Sequence, residues 1–128
     1  MENNISKLKG KRVLVVDDNM MNIMVVKVIL SEYEITLSEA TNGEQAVAFL
    51  EKNPTDLILM DLKMPVLDGF QATNIIRKKL KLTTPIVALT ANSIEEEKIK
   101  CLDLGMNYYL TKPFDRDVFL EIVTRYIN

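Results

Sequence analysis

The sequence predicts an α/β fold in which helices cover both faces of a parallel sheet. Three observations favour this class. Short apolar runs rich in β-branched residues alternate along the chain with longer segments of helical period. Turn and cap residues such as Asn42-Gly43, Thr84-Pro85 and Gly105 fall where the elements change. The 128 residues, 48% of them hydrophobic, have the size and apolar content of one globular domain.

Each predicted strand is a short apolar run that ends at polar or turn residues. In chain order the runs are 12–17 "RVLVVD", 35–40 "ITLSEA", 56–60 "DLILM", 85–90 "PIVALT" and 107–111 "NYYLT". Helices are predicted between consecutive strands and after the last one.

The predicted helices differ in how clearly their apolar residues mark one face. The last helix has a single apolar stripe, formed by Val118, Phe119, Ile122, Val123, Tyr126 and Ile127. A similar stripe marks the third helix at Ala72, Ile75, Ile76 and Leu80. The fourth helix, 93–104, is mostly charged and leaves Ile94, Ile99 and Leu102 for the core, with Cys101 as a further candidate. We therefore expect the fourth helix to be the least firmly packed.

Composition and charge exclude several classes of function. A formal net charge of −2 gives no strong attraction to nucleic acid or to an anionic membrane, so we expect no direct nucleic-acid binding. No apolar run approaches the ~20 residues that span a bilayer, and the polar start lacks the apolar core of a secretory signal. We expect a cytoplasmic protein that does not insert into membranes. The chain has no histidine, which excludes imidazole chemistry and histidine-ligated metals.

Polar residues follow the predicted strands at the edge of the sheet where open parallel sheets bind ligands. Asp17 and Asp18 follow the first strand, Asp61 follows the third, Thr90 closes the fourth and Lys112 closes the fifth. If the first and third strands are neighbours, three carboxylates share one cleft, where each pair about 5 Å apart repels by roughly 3 kcal/mol at an effective dielectric of about 20. A divalent cation with oxygen ligands offsets this repulsion, and Mg²⁺ suits a site with few carboxylates.

The same residues indicate phosphoryl chemistry. Asp61 has the chemistry of a carboxylate nucleophile that forms an acyl phosphate. Mg²⁺, Lys112 and the hydroxyl of Thr90 would neutralise or hydrogen-bond the phosphoryl oxygens. Taken alone, Asp17-Asp18 is also consistent with an exposed pair that caps a helix.

The site residues lie in or next to four sequence blocks, "VLVVDDN", "LILMDLKMPVLDGF", "PIVALTA" and "YYLTKPF". In order and in spacing, these blocks resemble those of response-regulator receiver domains. The resemblance covers nearly the whole chain and implies a receiver domain at 11–128 after a polar N-terminal tail of residues 1–10. It implies a flavodoxin-like fold, a five-stranded parallel sheet in the order 2-1-3-4-5 with five helices on both faces.

The resemblance also implies a role for each site residue. It makes Asp61 the phosphoacceptor and makes Asp17 and Asp18 the acidic pair that binds Mg²⁺, with Mn²⁺ as an alternative ion. It implies that the backbone carbonyl of Lys63 completes the metal site, and no organic cofactor is implied.

For the remaining positions it implies phosphate contacts and a conformational switch. Thr90 and Lys112 become the phosphate contacts, Thr90 and Tyr109 the switch pair, and the Lys112-Pro113 bond is expected to be cis. The surface that would change is formed by the fourth helix, the fifth strand and the last helix.

Within the family, the chain looks most like receivers of hybrid sensor histidine kinases. The implied function is that of a phosphorelay component, which takes a phosphoryl group from the phosphohistidine of a kinase or phosphotransfer protein and signals to a downstream protein. Such a domain catalyses its own phosphotransfer and autodephosphorylation and is not a metabolic enzyme. Because the sequence ends directly after the last helix, we expect no effector domain in this sequence. The chain is then either a free-standing regulator or a fragment of a longer protein.

Two other functions share parts of this pattern. Phosphatases of the haloacid-dehalogenase kind also use an aspartate at a strand end, but they carry D-x-D, whereas position 63 is lysine here. A flavodoxin-like flavin binder needs a hydroxyl- and amide-rich phosphate loop after the first strand. This sequence has Asp17 and Asp18 there, and their charges repel a phosphate.

Overall fold

The computed structural model describes residues 6–92 and 94–127. Their sheet has five parallel strands in the order β2-β1-β3-β4-β5, which confirms the predicted topology. The strands are β1 Arg12–Val16, β2 Thr36–Ala40, β3 Leu57–Asp61, β4 Ile86–Thr90 and β5 Tyr108–Thr111. Each lies within one residue of the predicted run.

Five α-helices connect and follow these strands in the described part of the chain. They are α1 Met20–Leu30, α2 Gly43–Lys52, α3 Gly69–Lys78, α4 Glu95–Leu104 and α5 Arg116–Tyr126. Two short 3-10 helices, Ser6–Leu8 and Ser31–Tyr33, precede β1 and β2.

Two apolar layers hold the helices against the sheet. Alternate strand residues point to opposite faces, so Val13 and Val15 of β1 pack with α1 and α5, whereas Leu14 and Val16 pack with α2, α3 and α4. The largest fully buried side chain of the α1/α5 layer is that of Phe119. Burial on both faces explains why the central strands are continuously apolar.

Polar side chains begin four of the helices by accepting backbone N–H groups that have no partner within the helix. Asn19 caps α1, Asn42 caps α2, and Asp115 caps α5. Asp68 caps α3 in a capping box with Gln71. Helix α4 has no such side-chain cap.

Helix α4 is the least anchored helix, as predicted, but its buried face differs from the prediction. Cys101 is its one buried residue, whereas Ile94, Ile99 and Leu102 are exposed, so their assignment to the core is wrong. The reason is the rotation of the helix. Glu97 and Cys101, one turn apart, face the protein because Glu97 has polar partners there and the small Cys101 fits against the sheet layer.

Two smaller differences concern the edges of predicted segments. Val118 is 44% exposed, because it precedes Phe119 by one residue and points away from the stripe that the helix buries. Leu8 lies within the predicted polar tail, yet it is fully buried in the α1/α5 layer, and the backbone N–H of Gly10 donates to the carbonyl of Glu34. The boundary between tail and domain at residue 10 stays a prediction.

Within the described ranges, no helix combines the length and the apolar character that crossing a bilayer requires.

Candidate functional site

The sheet brings the predicted site residues to one edge. Strands β1 and β3 are neighbours, with Val16 opposite Met60, so Asp17 follows β1 beside Asp61, the last residue of β3. Thr90 is the last residue of β4, which pairs with β3 on its other side. Strand β5 pairs with β4 and ends at Thr111, directly before Lys112. The carboxyl ends of four strands therefore meet at this edge, as the sequence predicts.

Three carboxylates form a compact cluster there. One oxygen each from Asp17, Asp18 and Asp61 lies within 4.8 Å of the others. Asp17 and Asp61 are buried, at 1% and 8% exposure, whereas Asp18 is exposed. Asp17 does not cap α1, since Asn19 does so and the N–H of Asn19 donates to Asp17 Oδ1 at 2.9 Å. The capping interpretation of the acidic pair is therefore wrong for the helix that follows.

Lys112 is the cation of the cluster. Its Nζ lies 3.2 Å from Asp17 Oδ2 and 3.5 Å from Asp61 Oδ1, and its side chain is mostly buried. The Lys112-Pro113 bond is cis, as the family resemblance implied. One ammonium group thus contacts two carboxylates and leaves the cluster with an excess of negative charge.

The electrostatics of the cluster appear in the pKa of Asp61. This pKa is raised to about 6, first by burial and then by the charge of Asp17, while Lys112 lowers it in part. The carboxylate form of Asp61 is therefore held at a cost in free energy when no further cation is present.

The donor set fits a hard divalent cation. All three clustered groups offer carboxylate oxygens, the ligands that Mg²⁺ prefers, and their mutual repulsion is the term that a cation removes. Asp18 leaves the cluster open to solvent on one side, and a Mg²⁺ site that keeps several waters needs such an opening.

Thr90 ends β4, the neighbour of the strand that carries Asp61, and Tyr109 lies on β5, the next strand along the sheet. Thr90 is buried, and its Oγ1 accepts the N–H of Asn92 at 3.3 Å. The hydroxyl of Tyr109 donates to the carbonyl of Asn92 and accepts the N–H of Ile94 at 3.4 Å. The two predicted switch residues therefore contact the same segment, which leads from β4 into α4.

Two residues near the site were not identified from the sequence. Gly69 begins α3 so close to β3 that an added Cβ would lie 2.4 Å from the backbone oxygen of Asp61. Glu97 of α4 contacts the hydroxyl of Tyr109 at 3.4 Å and pairs with Nζ of Lys63 at 3.9 Å. The dipeptide Asp68-Gly69 is a weak sequence signal for the glycine, typical of a turn and helix start. The run Glu95, Glu96 and Glu97 does not show which glutamate faces inward.

Known proteins carry the same pattern. Residues 13–124 match the family model of the response regulator receiver domain. Over 126 residues the chain is 40% identical to the transcription factor SKN7 of Saccharomyces cerevisiae, covering 98% of this chain and 20% of that protein. It is 38% identical over 133 residues to the hybrid signal transduction histidine kinase B of Dictyostelium discoideum, covering 94% of this chain and 7% of that protein. The chain thus spans a fifth or less of these curated relatives.

A solved structure matches over nearly its whole length. The receiver domain of the sensor histidine kinase PA1611 from Pseudomonas aeruginosa PAO1, which holds a magnesium ion in its active site cleft, is 39% identical with a TM-score of 0.82. The match covers 91% of this chain and 97% of that domain. These similarities give no support to a haloacid-dehalogenase phosphatase or a flavin binder. The fold, the acidic pocket and the family match together show that this chain belongs to the response regulator receiver domains of two-component signalling.

Proposed function

We propose that Asp61 is the phosphoacceptor and takes its phosphoryl group from the phosphohistidine of a histidine kinase or a histidine phosphotransfer protein. The observation that carries the proposal is the position of Asp61, buried at a strand end within reach of both Lys112 and the acidic pair. A carboxylate oxygen of Asp61 attacks phosphorus and forms an O–P bond. The N–P bond breaks, and its electron pair stays on the histidine nitrogen.

Asp17, Asp18 and Asp61, together with the backbone carbonyl of Lys63, would hold Mg²⁺, or Mn²⁺ in its place. When bound, the ion neutralises charge on the carboxylates and the phosphoryl oxygens. Lys112 lies between Asp17 and Asp61, so its ammonium group is placed to pair with the phosphoryl group as well. Such preorganised charge is the main means by which proteins accelerate phosphoryl transfer.

The hydroxyl of Thr90 would donate its hydrogen to a phosphoryl oxygen. A movement of Oγ1 toward that oxygen would lengthen its contact with the N–H of Asn92, which it accepts at 3.3 Å. Tyr109 contacts the same segment, so a movement of Thr90 reaches the tyrosine through Asn92 and Ile94. We infer that phosphorylation shifts an existing equilibrium of this segment rather than creating a new fold.

The surface formed by α4, β5 and α5 is the one we expect a downstream protein to bind. It carries exposed apolar side chains, Ile99 and Leu102 of α4 and Val118 of α5, which polar solvent does not favour. The net charge of −2 gives no strong attraction to nucleic acid, so we expect no direct nucleic-acid binding. We therefore propose that the chain acts as a receiver in a cytoplasmic phosphorelay.

The test is the mass of the intact protein after exposure to a small phosphodonor, with Mg²⁺ and with a chelator. We expect one phosphoryl adduct in Mg²⁺ and little or none in chelator. Asp61→Asn should remove the adduct. Asp18→Ala should abolish the metal-dependent phosphorylation, so that little adduct forms with or without Mg²⁺. Full labelling of Asp61→Asn would overturn the assignment.

A further inference from the structure

We infer that Glu97 is a positioning residue, which holds the ammonium group of Lys63 away from the phosphoryl site and ties its position to the state of Tyr109. The inference rests on the proposed phosphorylation of Asp61. It concerns how long the acyl phosphate survives, because Lys63 is two residues after the acceptor and would otherwise be free to approach the phosphoryl oxygens.

Glu97 differs from its neighbours in burial. Glu95 and Glu96 are exposed, whereas the side chain of Glu97 is 20% exposed. It lies on the inner face of α4, one turn before the buried Cys101. A carboxylate that is mostly buried needs polar or charged partners. Glu97 has two such partners, Lys63 and Tyr109, which lie in other parts of the chain.

The first partner is Lys63, which follows β3. Its Nζ is 3.9 Å from Glu97 Oε2, while the Lys63 side chain is otherwise exposed. Within the described residues, the ammonium group that pairs with Asp61 is that of Lys112. Lys63 therefore points toward α4 in this state, and a doubly negative phosphoryl group on Asp61 would compete with Glu97 for it.

The second partner is the hydroxyl of Tyr109, 3.4 Å from Glu97 Oε1. The same hydroxyl contacts Asn92 and Ile94, the segment that follows the buried Thr90. Glu97 thus receives one contact from beside the acceptor and one from the switch tyrosine. When Tyr109 leaves this position, Glu97 loses this contact, and its hold on Lys63 changes.

If Glu97 restrains Lys63, then removing its charge releases the ammonium group to the phosphoryl oxygens, where it covers the acyl phosphate against water. We expect Glu97→Gln to slow loss of the phosphoryl group by about two- to fivefold, the size expected from one partly exposed ion pair. Glu96→Gln removes the same charge from the same helical turn at an exposed position, and it should leave the rate unchanged.

The experiment measures dephosphorylation by intact mass, after labelling with a small phosphodonor in Mg²⁺ and removal of the donor. In a Lys63→Ala background, Glu97→Gln should have no further effect on the rate, since its action passes through Lys63. Equal rates for Glu97→Gln and the parent, or an equal effect with and without Lys63, would overturn the inference. A parent protein that takes up no phosphoryl group at Asp61 would instead overturn the proposed function.

A second readout needs neither metal nor phosphate. The ring signals of Tyr109 in NMR spectra of the metal-free protein should shift in Lys63→Ala and in Glu97→Gln, but not in Glu96→Gln. Lys63→Ala should cause no shift when Glu97 is already glutamine. Tyr109 ring signals that do not shift in Lys63→Ala or in Glu97→Gln would show that Glu97 does not connect Lys63 to Tyr109.

Discussion

Burial and neighbouring charges both act on Asp61, the proposed phosphoacceptor. Its neighbours Asp17 and Asp18 disfavour a third negative charge, and Lys112 offsets only part of that effect. The arrangement keeps the carboxylate that we propose as nucleophile in a place where a cation stabilises its charged form. We infer that affinity for the metal and readiness for phosphoryl transfer have the same physical origin.

The stability of the metal-free protein should depend on pH through Asp61. Its folded pKa of about 6 exceeds the ordinary value of 3.8. The contribution of Asp61 to the free energy of unfolding is therefore fully present below about pH 4 and is lost as the pH rises through about 6. Asp61→Asn cannot ionise, so its advantage over the parent should be small at about pH 4 and grow by about 1–3 kcal/mol at about pH 7. Urea unfolding of both proteins in chelator measures this, and a difference that stays constant with pH would contradict it.

Gly69 fixes the distance between α3 and the strand that carries Asp61. A Cβ there would lie 2.4 Å from the Asp61 oxygen and 2.9 Å from the Leu62 Cα, both backbone atoms that cannot move aside alone. We expect Gly69→Ala to destabilise the fold by about 1–3 kcal/mol and to slow phosphorylation, because it displaces the acceptor. Asn74→Ala, at an exposed position of the same helix, is the matched control. Unchanged stability and labelling in Gly69→Ala would show that the close approach has no consequence.

At the scale of elements, the sequence predicts the sheet better than the faces of the helices. A strand buried on both faces is marked by its apolar run alone, and this is why β1, β3 and β4 were placed within one residue. The site was predictable for the same reason, since parallel strands bring their carboxyl ends together. The rotation of α4 is not predictable from the sequence. Its inner face is decided by contacts with Lys63 and Tyr109, which are distant from the helix in sequence.

We assign the proposed switch to the segment between β4 and α4. The Thr90 hydroxyl accepts from Asn92 there, and Thr90→Ala keeps Asp61 but loses the group that would respond to phosphate. We expect Thr90→Ala to bind a stable phosphoryl mimic such as beryllium fluoride, yet to show much smaller amide NMR shifts over 90–112 and α5 than the parent. Parent shifts confined to residues around the metal site would refute the roles of Thr90 and Tyr109.

For the whole molecule, metal binding should be visible as stability. The acidic cluster lies at the carboxyl ends of the neighbouring strands β1 and β3. An ion that binds only the folded chain raises the free energy of unfolding of the whole domain, by about 2.7 kcal/mol when the ion concentration is a hundred times the dissociation constant. Mg²⁺ should therefore raise the melting temperature of the parent, and Mn²⁺ should do the same. Asp18→Ala should abolish the rise, whereas Asp103→Ala, exposed on α4, should not. An equal rise in both variants would place the ion elsewhere.

The most direct test of the account asks which carboxylate carries the phosphoryl group. Borohydride reduces an acyl phosphate to an alcohol and so converts the phosphorylated aspartate to homoserine, which peptide mass spectrometry locates. After labelling of the parent protein in Mg²⁺, we expect homoserine at position 61 and aspartate at positions 17 and 18. Homoserine at Asp17 or Asp18, or its appearance in equal amounts with chelator in place of Mg²⁺, would contradict it.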